Sequence, residues 1–199
     1  MQFLKFALAA VTIGSAIAAP APVKRDGEVI VTVTGVVTSV KALVEAELSN
    51  VESVLGDVVS DDVIPTVNTA LGNIVTEVNT LVGDIVPLVT GIVFPLVDAE
   101  LENVPELLSE VKDLVSDIDT TVNNLLNAVV GDVLTAVKPE VKAVLNIVEP
   151  LLTPVLGLAD SVVSTATGTV VDDVKGLVTD INNIAGGILT PVTGLLSIL

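Results

Sequence analysis

From Val36 onward the apolar residues recur every three or four positions, and that period holds almost to the end of the chain. It is clearest at Val104, Leu107, Leu108, Val111, Leu114, Val115, Ile118, Val122, Leu125 and Val129, and Leu126, Val130, Val133, Leu134 and Val137 carry the stripe on. On a helix these positions share one broad face, while Glu110, Asp113, Asp117, Asn124 and Asp132 fall elsewhere. With three or more apolar positions per two turns, the stripe suits a globular bundle better than a narrow coiled-coil seam. The ten residues Val104 to Val129 are the candidate hydrophobic face. Ahead of the helical period, Val29, Val31 and Val33 alternate with Thr32 and Thr34, which reads as an extended lead-in over 26–35.

Prolines and glycines divide the helical part. Taking Pro65, Pro87, Pro95, Pro105, Pro139, Pro150, Pro154 and Pro191 as breaks predicts helices near 36–60, 66–86, 88–102, 105–137, 139–149, 151–165, 169–185 and 188–198. The expected fold class is all-α: a bundle of amphipathic Val/Leu-rich helices forming a single domain over 36–199. Valine fills 41 of 199 positions, and each costs a few tenths of a kcal/mol of helix propensity relative to alanine. Packing therefore has to supply what propensity does not.

An internal repeat accompanies the stripe. Two aliphatics, two variable positions, Val, Lys and a further aliphatic occur from Val36 with Val40-Lys41, from Leu107 with Val111-Lys112, from Val133 with Val137-Lys138 and from Val170 with Val174-Lys175; a fifth copy from Ile74 has Asn79 in the lysine position. The copies at Val133 and Val170 stay matched downstream, where Leu-Leu-Thr-Pro-Val-Leu-Gly-Leu at 151–158 answers Ile-Leu-Thr-Pro-Val-Thr-Gly-Leu at 188–195. This is read as duplication of a helix-break-helix unit. Because 151–158 is internal, the apolar 188–199 is read as architecture and not as a cleaved lipid-anchor tail.

The first residues have the form of a secretory signal: Lys5, an apolar run over 6–17, and small residues ending at Ala19. The run is shorter than the roughly 20 residues a spanning helix needs. The expected organisation is a signal peptide over 1–19, a propeptide over 20–25 ending in the dibasic pair Lys24-Arg25, and a secreted body over 26–199. Removing 1–25 leaves five basic against 25 acidic residues. So acidic a chain is unsuited to nucleic acid and to anionic membrane, whereas a neutral lipid or another hydrophobic surface remains open to it. Self-association stays an alternative. The chain has no cysteine, so its 174-residue body relies on a core without disulfides.

With no His or Cys, the common zinc, nucleophile–base and thiol sites are absent. The paired acids Asp61-Asp62, Asp172-Asp173 and Glu100 with Glu102 suit solvated helix ends better than a glycosidase dyad. Asp117, Asp119 and Asn123 lack the glycine and terminal glutamate of a calcium loop. No catalytic residue, metal ligand or cofactor is assigned, and the expectation is a protein that is not an enzyme. The repeat lysines are expected to neutralise neighbouring acids along their own helices.

The signal sequence, the Lys24-Arg25 junction and the cysteine-free helical body together resemble fungal hydrophobic-surface-binding proteins and related cell-wall mannoproteins. The resemblance implies a secreted, cell-wall-associated helical protein that adsorbs to hydrophobic surfaces or lipids, or else a soluble carrier of fatty acyl chains. A secreted effector acting on a protein partner is the remaining alternative.

Overall fold

The computed structural model describes residues 28–55 and 61–196. Ala19, Lys24 and Arg25, with the signal and propeptide read over 1–25, lie outside them. Six α-helices are described: α1 (Val29–Leu55), α2 (Ile64–Thr90) entered through a 3-10 turn at Asp61–Val63, the short α3 (Asp98–Leu101), α4 (Val104–Ala128), α5 (Gly131–Thr165) and α6 (Thr169–Leu196). The protein is an all-α bundle, as the hydrophobic period predicts.

Three expectations about boundaries are corrected. Of the lead-in expected over 26–35, the part from Val29 is helical and not extended. Ile30, Val33, Thr34 and Val37 are buried, a spacing of three and four that the valine alternation conceals. The threonines fit the helix by turning their hydroxyls back on it: Thr32 Oγ1 donates to the Glu28 carbonyl at 2.7 Å and Thr34 Oγ1 to that of Ile30 at 2.9 Å.

Second, Pro139, Pro150 and Pro154 do not divide α5, which runs unbroken for 35 residues. Each proline withholds one amide from the carbonyl four residues earlier. Those carbonyls belong to Thr135, Asn146 and Pro150, all exposed, so water can take the place of the missing donor. The real division is at Val129-Val130, both extended, followed by Gly131 at φ 60°; the apolar stripe passes through these residues without a gap and hides it. Third, the helix expected over 88–102 is largely absent. α2 continues through Pro87 to Thr90, 91–97 forms a connection, and only α3 is helical beyond it.

Side-chain contacts fix the topology. The Val29 amide donates to Glu100 Oε1, Lys41 Nζ to Glu110 and Thr121 Oγ1 to Glu52, pairs 71, 69 and 69 residues apart, so α1 and α4 lie side by side and parallel. α2 is likewise parallel to α5, with Asn68 near the start of one bonded to the Ala136 carbonyl near the start of the other. The five long helices close a ring in the order α1, α2, α5, α6, α4. α1, α4 and α6 start at one end, called here the near end, and α2 and α5 start at the far end. Each long helix carries one copy of the repeat, and the central valine of every copy (Val40, Val78, Val111, Val137, Val174) is buried. The repeat is thus the inward-facing element of one helix and not the helix-break-helix unit expected: 151–158 lies inside α5, and 188–195 inside α6, which runs unbroken where a division between 185 and 188 is expected. The core is aliphatic throughout, and Thr34 and Thr121 are the buried polar side chains among the described residues.

Candidate functional site

All ten residues of the candidate hydrophobic face, from Val104 to Val129, are buried, with at most 2% of their surface in water. α4 touches α1 on one side and α6 on the other and also meets α5, so its stripe is covered by neighbours. In the closed bundle these residues form core, not a docking surface.

Six large aliphatic side chains among the described residues reach solvent, all elsewhere: Leu43 (45% exposed) midway along α1, Val130 (77%) at the far end, and four others. Val31 (52% exposed) is in the first turn of α1, Val86 is one turn before the end of α2, and Val93 (69%) and Val97 (57%) are in the 91–97 connection. α1 begins and α2 ends at the near end, so the topology collects all four there. Ile92, Phe94 and Leu96 are half-buried beneath the connection and pack onto the core. This group was missed because its residues follow no helical period. No charge count singles it out: 29–40, 86–97 and 161–171, the last turning from α5 into α6 at the same end through Gly168 at φ 108°, contain no charged residue, but neither do 63–76, 120–131 and 181–199. The α3 side of this end is acidic, with Asp98 and Glu102 exposed and Glu100 holding the first amide of α1 at 3.2 Å.

Three grooves follow the α1–α4 seam, one of them, about 500 Å³, at the far end between Glu52 and Leu55 of α1 and Asn124, Asn127 and Ala128 of α4. The first of the other two, about 530 Å³, opens beside Val31 and is lined on α1 by Thr34, Gly35, Thr38, Ser39 and Ala42 and on the other side by Asn103 and Glu106. The second, about 250 Å³ and nearer the far end, is polar, with Glu45, Glu52, Asp117 and Thr121 around Leu48 and Ser49. Between them Lys41 Nζ meets Glu110 at 3.1 Å, Asp113 at 3.6 Å and Glu45 at 3.9 Å. Lys112 also crosses a seam, reaching Asp180 of α6 at 3.7 Å, so these two repeat lysines act across helices and not only along their own.

Burial alone would lower the Lys41 pKa, but its hydrogen bond to Glu110 and the charges of Glu110, Asp113 and Glu45 outweigh it and hold the ammonium above the ordinary lysine value. Asp117 is pushed up, by burial first and then by Glu45. Asp119 is also raised by burial, against the opposing bond from Asn123 Nδ2 at 2.7 Å. Asp117, Asp119 and Asn123 thus form part of a polar helix face, and no group of three acids among the described residues is placed to hold a metal ion. Asp172 and Asp173 are exposed at the start of α6.

α1 and α5 are long and apolar enough to cross a bilayer by length and composition, and here both lie in the bundle. Only a third of the most apolar stretch of α1 is buried, against half for α5, so α1 turns more uncharged surface outward.

No protein-family model matches the chain, and no curated protein matches it. Among solved structures it is similar to the crystal structure of AFMP4P in complex with palmitic acid, at 14% identity over 82% of this chain and 99% of that chain, with a TM-score of 0.45. The functional reading accordingly rests on the residues of this chain.

Proposed function

We propose that this is a secreted, non-enzymatic protein that binds hydrophobic surfaces or lipids, acting outside the cell or at the cell wall. The observation that carries the reading is the gathering of Val31, Val86, Val93 and Val97, exposed, at one end of the bundle within segments free of charge. Scattered exposed valines are ordinary, but four of them exposed at one end of a strongly acidic protein mark a contact site. The secretory-type leader supports the location, and the lack of His and Cys supports the absence of catalysis. The buried stripes of α4 and its neighbours are a reserve of aliphatic area that rearrangement of the bundle at the surface would bring into contact.

Teflon or wax particles test this. The protein should leave solution while keeping its helicity, followed by circular dichroism and by peptide-bond absorbance, since Trp and Tyr are absent. A helical protein that stays in solution beside the particles overturns the surface reading.

The groove of about 530 Å³ beside Val31 favours a second reading, a carrier holding one acyl chain along α1. Solvent extraction of the purified protein should then return one lipid per chain. Extraction of none excludes the carrier.

A further inference from the structure

We infer that the near end docks end-on against an electrically neutral lipid surface, with Val93 and Val97 entering first. This rests on the lipid-binding reading above and adds to it the lipid class, the orientation and the inserting residues. Val93 and Val97 each have more than half of their surface in water, as expected of a protruding tip and not of a groove shaped for another helix. The tip is anchored from behind, because Phe94 and Leu96 pack onto the core. Its position relative to the rest of the end is held by Glu100, which joins α3 to the first amide of α1.

Charge selects the partner. The exposed charges at this end are mostly acidic: Glu28, Asp98, Glu102, Glu106, Asp172 and Asp173, against Lys175 in the second turn of α6. An anionic membrane is repelled by this rim, and a second copy would bring an identical acidic rim and a body with 25 acidic against five basic residues. A zwitterionic or uncharged lipid surface meets neither obstacle. It can accept the valines while the acids remain in water, the division seen in interfacial amphipathic segments.

Because the chain has no Trp or Tyr, single tryptophans report position without background. Val93→Trp samples the tip, and Val130→Trp samples the far end at the aliphatic side chain with the highest exposure among those described, 77%. With vesicles of phosphatidylcholine, Val93→Trp emission should shift to the blue and Val130→Trp emission should not. Val93→Glu and Val97→Glu should each weaken partitioning into these vesicles about 10-fold or more; Val130→Glu should leave it unchanged, with circular dichroism establishing that all three are folded. Replacing a third of the phosphatidylcholine by phosphatidylglycerol should weaken binding at low salt.

Equal shifts at both positions, or equal partitioning of all the glutamate variants, would overturn end-on docking. So would stronger binding to the anionic vesicles, or a Val93→Trp shift that follows protein concentration without lipid, which would make the end a contact between copies. Adsorption to Teflon without binding to phosphatidylcholine vesicles would refute the docking and leave the surface-binding function standing; failure on both would refute both.

Discussion

Replacing Lys41 by methionine removes one charge while keeping an unbranched stem, and so isolates what the ammonium does at the α1–α4 seam. The lysine side chain is 16% exposed; Glu110, at 3.1 Å, is 27% exposed, and Asp113 and Glu45 are half in water. An exposed ion pair contributes about 0.2–1 kcal/mol, and breaking a fully buried one costs about 3–5 kcal/mol. This site falls between those bounds, which puts the loss at about 2 kcal/mol, most of it through Glu110. For a domain of this size that lowers the melting temperature by about 4–8 °C. Thermal unfolding by circular dichroism at neutral pH and low salt measures it, and a cycle with Glu110→Gln and the double variant should return a coupling of about 1 kcal/mol or more. The pH dependence gives a second check. A lysine whose pKa is raised in the folded state contributes stability that is fully present below its ordinary pKa and is lost as pH rises through the raised value. The gap between wild type and Lys41→Met should therefore close on the alkaline side. A variant that melts with the wild type at neutral pH, or a coupling of zero, would show that aliphatic contacts alone hold the seam.

Asp117→Asn should act in the opposite direction. Its carboxyl is raised in the folded state, so its contribution favours folding below the ordinary aspartate value and is lost as pH rises through the raised one; the variant should melt higher than wild type at neutral pH and gain less on acidification, as melts across the acid range will show. Leu114→Ala, at a fully buried position on α4, should cost about 2–5 kcal/mol by leaving a cavity, measured by denaturant unfolding. Glu100→Ala removes the carboxylate that accepts from the Val29 amide and should cost about 0.5–2 kcal/mol, with faster amide hydrogen exchange confined to the first turns of α1.

The fold class was legible because hydrophobic spacing is a property of the helix and survives in the sequence. The repeat was legible as well: five copies correspond to five long helices, with the central valine of each turned inward. Proline was a poor guide, since its cost depends on whether the deprived carbonyl can reach water, and in α5 all three belong to exposed residues. Gly131 is one glycine among 14, and nothing in its neighbours marks it as one that, like Gly168, takes a positive φ. The candidate face on α4 was real as a helix stripe, but a periodic stripe does not tell whether it meets water or another helix. In this bundle the periodic residues are core, and the exposed apolar group at the near end lies partly in a connection where no period applies.

The five aliphatic stripes share one motif, so each is nearly as good a partner for any of the others, and hydrophobic burial by itself does not choose the order of helices around the ring. The cross-helix polar contacts differ from seam to seam and can make that choice. α1 and α4 are joined through Lys41 and Glu52, and α1 and α3 through Glu100; α2 and α5 through Asn68; α4 and α6 through Lys112; and α1 and α2 through Asn73, which donates to Glu47 at 2.9 Å. On the proposed surface-binding reading this division of labour has a consequence. An aliphatic stripe that leaves a neighbouring helix for a lipid or wax surface gives up one apolar contact and gains another of the same kind. The net cost of opening is then set by the few polar contacts between helices, several of them solvent-exposed and individually weak. A core of interlocked aromatic side chains would resist such an exchange through its specific geometry, whereas the described core of Val, Leu, Ile and Ala does not impose that obstacle.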